Sequence, residues 1–364
     1  MNRLSDLILL NIIGVGYMRL NALLEKFGST ENIFKVSPAR LEEVEGIKPD
    51  LARKIIDAPA LPALKIELEL IKKHNVRVLS VFDENYPKNL KQIYDPPIIL
   101  YVKGELIPED EAAIAVVGSR MASCYGTLTA ERLANELAGR GITVVSGMAR
   151  GIDTFAHQGA LKAQGRTLAV LGSGLAEIYP PENKRLAEKI SQAGAVLSEF
   201  PMREEPFKYN FPRRNRTISG LSLGVVVVEA SKISGALITA RFATEQNREV
   251  FAVPGQAKKL GTQGTNNLIR DGAKLVESAE DIIEELESAL EEFLRVRNSS
   301  PHKTRQKLGI EETKVLSALS DEPLYIDEIG ECAGLPINKV SSALVKLVLS
   351  GSVKELPGKN FVKR

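Results

Sequence analysis

From Ala112 onward the chain repeats one pattern: short, unbroken apolar runs separated by spacers of helix length and mixed polarity. The runs are AAIAVVG (112–118), ITVVSG (142–147), TLAVLG (167–172), AVLSEF (195–200), GVVVVEA (224–230) and EVFAVPG (249–255), with AKLVES (273–278) last. The spacers 127–140, 153–164, 182–193, 234–247 and 264–271 read as helices, and another begins at Ala279. Strands that are apolar on both faces need cover on both faces, which predicts a parallel sheet between two helical layers. The expected fold class is α/β, a Rossmann-like doubly wound parallel sheet with its core at 112–285.

The chain before this repeat has a different rhythm. Residues 1–75 read as a helical domain with two look-alike units, IIGVGYMRLNALLEKFGS and VEGIKPDLARKII. In each, a glycine turn (Gly14 and Gly16, or Gly46) precedes a helical pattern, apolar at Leu20, Leu23, Leu24 and Phe27 or at Leu51, Ile55 and Ile56. The arrangement resembles a helix-hairpin-helix (SAM-like) pair. Its glycines could bring helix-start amides to a phosphate or simply make tight turns, and few cations flank them, so both readings stay open. A helix, LPALKIELELIKKHN, starts at Leu61. The strand-like VRVLSVF and PPIILYV follow among Tyr-Pro and Pro-Pro breaks, predicting extended chain that lies on the sheet and connects to it, so that this domain spans 76–285. Residues 286–309, acidic then basic around Ser-Ser-Pro, predict a linker. From 310 to 364, three amphipathic helices and a hairpin turning at Pro357-Gly358 predict a winged helix.

Composition narrows the function. The 364 residues carry a net charge of only +2, so affinity for a nucleic acid has to come from local clusters of Lys and Arg. Two distant cysteines, Cys124 and Cys332, match no metal-ligand spacing and make a poor disulfide framework, which implies a reduced, cytoplasmic setting. Three histidines, no tryptophan and no His-Cys cluster leave little for a metal site, and no cofactor is expected. The apolar LILLNIIGV near the start is too short and too interrupted for a membrane span or a signal peptide.

The strongest cluster is FKYNFPRRNRTISG (207–220). It holds Lys208, Arg213, Arg214 and Arg216 within nine residues, interleaves Tyr209 and Phe211, and reaches no acidic residue before Glu229. Cations for phosphates and flat rings for unstacked bases suit a groove for a single strand. Because it precedes the GVVVVEA strand, this stretch is expected as a loop arriving at the carboxyl edge of the sheet, where such folds bind ligands. The turns GSRMASCYG, SGMARGID, LGSGL and EASKISGALITA fall at the same edge. GSRMASCYG is not G-x-G-x-x-G, because Arg120 stands in place of the second glycine; a phosphate cradle from Gly118, Ser119 and Arg120 fits it better than a dinucleotide site. SGMARGID adds helix-start amides beside Arg150, with Asp153 placed to cap the helix. Asp153 and His157 share a helical face, open either to acid-base pairing or to a cap beside a hydrogen-bonded histidine.

Together GSRMASCYG, SGMARGIDTFAH, LGSGLAEIYP, FPRRNRTISGLS, VVVVEASKISGALITA and REVFAVPG resemble, in order, the signature segments of the DNA-processing protein A (Smf) family over about residues 110–280. Ala176 departs from that pattern, standing where an acidic residue is expected. The resemblance implies a non-enzymatic single-stranded-DNA-binding protein that protects incoming strands in natural transformation and helps load RecA recombinase, and a homodimer built through the Rossmann-like domain. It implies Gly118, Ser119 and Arg120 as the phosphate-binding turn, and Lys208, Phe211, Arg213, Asn215 and Arg216 as the strand-binding loop. No catalytic residues come with it.

Two other readings compete. A phosphoribohydrolase-like nucleotide-processing enzyme would use the same kind of sheet, but its PGGxGTxxE pattern is met only by VPGQAKKLGTQGTN, with no glutamate in register. A winged-helix transcription regulator would want a more basic recognition helix than INKVSSALVKLVL. Residues 310–364 hold seven Lys and Arg against eight Asp and Glu, so duplex binding, protein contact and a purely structural role are all compatible with that segment.

Overall fold

The computed structural model describes residues 3–290, 310–319, 324–349, 353–356 and 359–363. The chain divides into two compact units, Met1–Val296 and Arg297–Arg364.

The first unit opens with helices α1 (Arg3–Ile12), α2 (Tyr17–Phe27), α3 (Thr30–Ile33), α4 (Pro38–Glu42), α5 (Pro49–Asp57) and α6 (Ala63–Lys73). The turns before α2 and α5 pass through Gly14 and Gly46 at φ of 85° and 80°, a region that side chains resist. The apolar faces of these helices supply Leu7, Leu10, Leu20, Leu23 and Ile55 to a core that also contains Ile99, Tyr101 and Ala169. The helices thus fold onto the sheet rather than around a separate centre.

The sheet follows as β1 (Arg77–Ser80), α7 (Lys88–Lys91), β2 (Ile99–Gly104), β3 (Ala113–Val117), α8 (Cys124–Gly139), β4 (Thr143–Ser146), α9 (Ile152–Lys162) and β5 (Thr167–Val170). It continues through α10 (Lys184–Ala193), β6 (Ala195–Ser198), α11 (Asn210–Gly220), β7 (Gly224–Val227), α12 (Ala236–Glu245), β8 (Glu249–Ala252), α13 (Gln263–Arg270), β9 (Lys274–Leu275) and α14 (Ala279–Glu285). The strand order is β1-β2-β6-β5-β4-β3-β7-β8-β9. From β6 to β9 neighbouring strands are parallel. β1 and β2 join antiparallel beside β6, with Tyr101 opposite Ser198. The VRVLSVF and PPIILYV segments therefore extend the sheet itself instead of lying across it. One face packs Ile218, Ala236 and Ala240, and the other packs α8, α9 and α14 through Leu133, Ile152 and Ile282. Leu286 and Leu290, inside the expected linker, are buried in that second layer, and residues 291–309 lie outside the described residues.

The order reverses at β3, whose parallel neighbours are β4 on one side and β7 on the other. The connections leaving β3 and β7 diverge there and open a crevice at the strand ends, where doubly wound sheets bind ligands. Among the described residues no helix is long and apolar enough to cross a membrane.

In the second unit, helices Ile310–Ala318, Ile326–Ala333 and Ile337–Leu349 surround a core of Val315, Ile329, Val340, Leu344 and Phe361. Strands Val353–Leu356 and Asn360–Lys363 pair antiparallel, and Leu324–Tyr325 adds a third. This is a winged helix; the Pro357-Gly358 turn lies outside the described residues.

Candidate nucleic-acid interface

The turn after β3 is pinned from both sides of the crevice. Ser119 donates its amide to the Glu229 carbonyl at 2.7 Å and accepts from the Ile152 amide through its own carbonyl at 3.2 Å. Gly118 has to be glycine, since a Cβ would lie 2.6 Å from the Ile152 side chain and 2.9 Å from the Glu229 carbonyl. Ser119 Oγ accepts from the Met121 amide at 3.1 Å, which closes the turn and sends Arg120 outward. Arg120 is exposed, and its guanidinium lies 4.9 Å from the centre of the Phe211 ring. Such a cation–π contact contributes about 0.5–1 kcal/mol at an exposed site.

Phe211 sits in a fitted seat. A Cβ on Gly172 would fall 2.9 Å from its ring, Tyr179 packs at 6.0 Å between ring centres, and Arg214 lies 5.8 Å away on α11. Arg214 is buried, donates to the Val170 carbonyl at 3.3 Å and approaches Asp153 at 3.8 Å. Its guanidinium fills the space that a side chain at Gly147 would need. Asp153 accepts from the amides of Gly147 and Ala149 at 3.2 and 3.3 Å. Burial raises its carboxyl pKa, with Arg214 opposing, and burial lowers the Arg214 pKa to about 10. On the other wall Glu229, buried at the end of β7, accepts from Ser123 Oγ at 2.5 Å and so ties down the start of α8.

Above these groups lies a cleft of about 530 Å³ bordered by Gly118, Ser119, Arg120, Phe211, Asn215 and Ser234. A smaller recess of about 30 Å³ lies between Arg120, Arg150, Tyr179 and Phe211. Exposed cation, flat ring and backbone turn therefore share one concavity. Among the described residues, no group of three or more His, Cys, Asp or Glu side chains could hold a metal ion.

Gly118, Ser119, Arg120, Phe211 and Asn215 come together at this cleft, where Asn215 Nδ2 donates to the Gly235 carbonyl at 3.2 Å. Lys208 is exposed just before α11, and no ion pair forms on it among the described residues. The other three cations meet carboxylates. Arg150 is paired with Glu182, which raises its pKa. Arg213 lies 5.0 Å from the Phe200 ring centre and 3.7 Å from Glu199. Arg216 is held between Asp95 and Glu199, at 2.6 Å from the latter.

The expected loop at 207–220 is corrected to helix α11 from Asn210 onward. Helical geometry separates residues that a loop could all have turned one way: Phe211 and Asn215 line the cleft, while Arg213 and Arg216 meet Glu199. The expected cap at Asp153 is also corrected. Gly151, at φ 73°, holds the cap position of α9, and Asp153 binds the preceding turn. His157 is hydrogen-bonded to Thr167 Oγ1 at 2.7 Å, and burial lowers its pKa to about 3, leaving a neutral core histidine. Sequence reasoning missed Gly172 and Tyr179 as the seat of Phe211, and Arg214–Asp153 as the floor. The glycines of LGSGL and SGMARGID were the available signal, since each admits a neighbour too close for a side chain.

Residues 77–287 match the family model described as DNA recombination-mediator protein A, well over half of the chain. The chain belongs to that family. A DprA winged helix domain matches residues 299–359 and a SAM-like helix-hairpin-helix tandem matches residues 6–58, completing the three-part architecture. Family relatives include Protein Smf of Escherichia coli, 42% identical over 303 residues that cover 82% of this chain and 81% of the relative. The DNA processing protein DprA of Streptococcus pneumoniae is 45% identical over 208 residues, covering 57% and 73%. The X-ray structure of DprA from that species superposes with a TM-score of 0.68 at 35% identity, covering 78% of this chain and 98% of that one. The structure of DNA processing protein A from Helicobacter pylori, which concerns that protein's single-stranded DNA binding mode, gives a TM-score of 0.52 at 31% identity over 59% of this chain and 96% of that one. Ala176, where the family pattern expects an acid, is held by its backbone, its amide donating to the Met202 carbonyl at 2.9 Å.

Proposed function

We propose that this protein binds single-stranded DNA in the crevice between β3 and β7, without catalysis, and that it works as a cytoplasmic homodimer that delivers strands to a RecA recombinase during natural transformation. The observation that carries the reading is Arg120 stacked on the seated Phe211 ring at the mouth of the cleft. A strand laid there meets a phosphate donor and a base platform within one side-chain length. The family description, DNA recombination-mediator protein A, supports the recombinase part. The non-catalytic part is supported by His157 and Asp153, both buried in structural hydrogen bonds. Gly118, Ser119, Arg120 and Phe211 are proposed to touch the strand, with Asn215 shaping the cleft wall. Lys208 would supply a further phosphate contact, Arg150 and Arg213, each more than half exposed, would do so by exchanging Glu182 and Glu199 for phosphate, and Arg216 holds α11 in place.

The test is a titration with oligo-dT, duplex and nucleoside monophosphate across a range of salt. If about four phosphates are neutralised, log K for the single strand falls against log salt with a slope of about −3. Phe211→Ala weakens binding by about 1–3 kcal/mol and leaves that slope unchanged, because it removes a ring and no charge. A slope near zero, or base released from the monophosphate, overturns the reading.

A further inference from the structure

Immediately before α11 the chain carries two aromatic rings outside the Phe211 seat. Phe207 and Tyr209 stack on each other, with ring centres 5.4 Å apart and planes 11° from parallel. They are 42% and 63% exposed. The backbone beneath them is fixed. The Phe207 amide donates to the Glu205 carbonyl at 2.8 Å, and the Asn210 amide donates to the Phe207 carbonyl at 3.0 Å. Asn210, fully buried, adds side-chain bonds to Glu204 at 3.2 Å and to the Glu205 carbonyl at 3.1 Å. An anchored turn thus holds a flat, parallel ring pair in water, although burying such rings is what ordinarily stabilises a fold.

Stacked rings cover each other's inner faces and leave outer faces open. Only one residue lies between Tyr209 and Phe211, so their Cα atoms are at most about 7.6 Å apart and the pair adjoins the base seat already described. Lys208, exposed between the two rings in sequence, brings a cation to the same turn. Glu205 is exposed there too, so the ring face rather than net charge has to carry any contact. A flat apolar surface beside a cation, next to a base seat, suits an unpaired nucleobase.

We propose that the Phe207–Tyr209 pair is a second nucleobase platform, adjoining Phe211, on which an unpaired base of a single strand stacks; the inference rests on the single-strand reading above. The experiment uses the full-length protein with oligo-dT and with an abasic sugar-phosphate strand of the same length. Tyr209→Ala lowers oligo-dT affinity about five- to 150-fold, the range for losing one stacked base. On the abasic strand the variant binds like the parent, and its salt slope is unchanged. Tyr209→Trp retains oligo-dT affinity, because a larger ring keeps the stack. Oligo-dT binding equal to the parent, or an equal loss on both strands, overturns the inference. In those two cases Arg120→Ala still weakens the parent's binding, so the crevice reading survives. If the parent binds neither strand, the crevice reading falls and this one with it.

Discussion

Arg120, on the turn after β3, and Arg216, near the end of α11, treat their charge in opposite ways. Arg120 lies in solvent against an aromatic ring, with no carboxylate in an ion pair among the described residues. Arg216 is nearly buried between Asp95 and Glu199, and Glu199 also faces Arg213. Arg120 is the one cation of its turn and Arg216 is one of four in a basic run, yet only the first leaves its charge open to the cleft. A basic run counts cations; the carboxylates that its secondary structure turns each residue toward decide how many remain available. Arg214, one residue from Arg213, meets a third carboxylate on the floor of the cleft.

The largest expected effect tests that floor. Arg214→Ala leaves Asp153 buried without its partner and destabilises the protein by about 3–5 kcal/mol, read from the urea midpoint. An unchanged midpoint with lost single-strand binding would move Arg214 to the ligand-facing side of the comparison. Next comes the histidine on the same helix as Asp153. His157 has a folded pKa lowered to about 3 against an ordinary 6.5. Its contribution is therefore complete above pH 6.5 and is lost as the pH falls toward 3. Between pH 6.5 and 5 that loss amounts to about 2 kcal/mol. The decline should be shallower by that amount in His157→Gln; parallel curves for the two proteins would sink the assignment. The smallest effect separates the two arginines directly. Arg120→Ala flattens the salt slope of single-strand binding by about 0.7, one phosphate contact. Arg216→Ala, assayed well below its melting temperature, leaves the slope alone. Equal flattening by both would erase the distinction.

The sheet was legible because its strands are apolar on both faces, a signal that tertiary context rarely disguises. Each predicted run from AAIAVVG to EVFAVPG contains a strand, while AKLVES shortens to Lys274–Leu275. Helix α11 was not legible. Its sequence, NFPRRNRTISG, combines Pro, Asn, Thr, Ser and Gly, none of which favours a helix interior. It forms because Ile218 and the following Leu221 are buried in the core, each contributing about 1.5–3 kcal/mol, and because Arg214 and Arg216 find buried partners. The fate of the charges was hidden for the same reason. Glu199 lies 17 residues from Arg216 and Asp95 lies 121 away, so no local pattern could couple them. That Gly118, Ser119, Arg120 and Phe211 gather at the strand ends was legible because a glycine turn at a strand end and a ring inside a basic run each carry a local signal.

The antiparallel pairing of β2 with β6 reaches beyond the binding site. Without it, β6 would end the sheet in a bare row of amides and carbonyls, a template for pairing with another chain. The strand that takes the outermost place, β1, is only four residues long and begins with the exposed Arg77, two features that discourage strangers from adding on. The β1–β2 pair thus stands as a guard over the edge of β6. A shortened form beginning after Gly104 would keep every residue of the crevice and lose that guard.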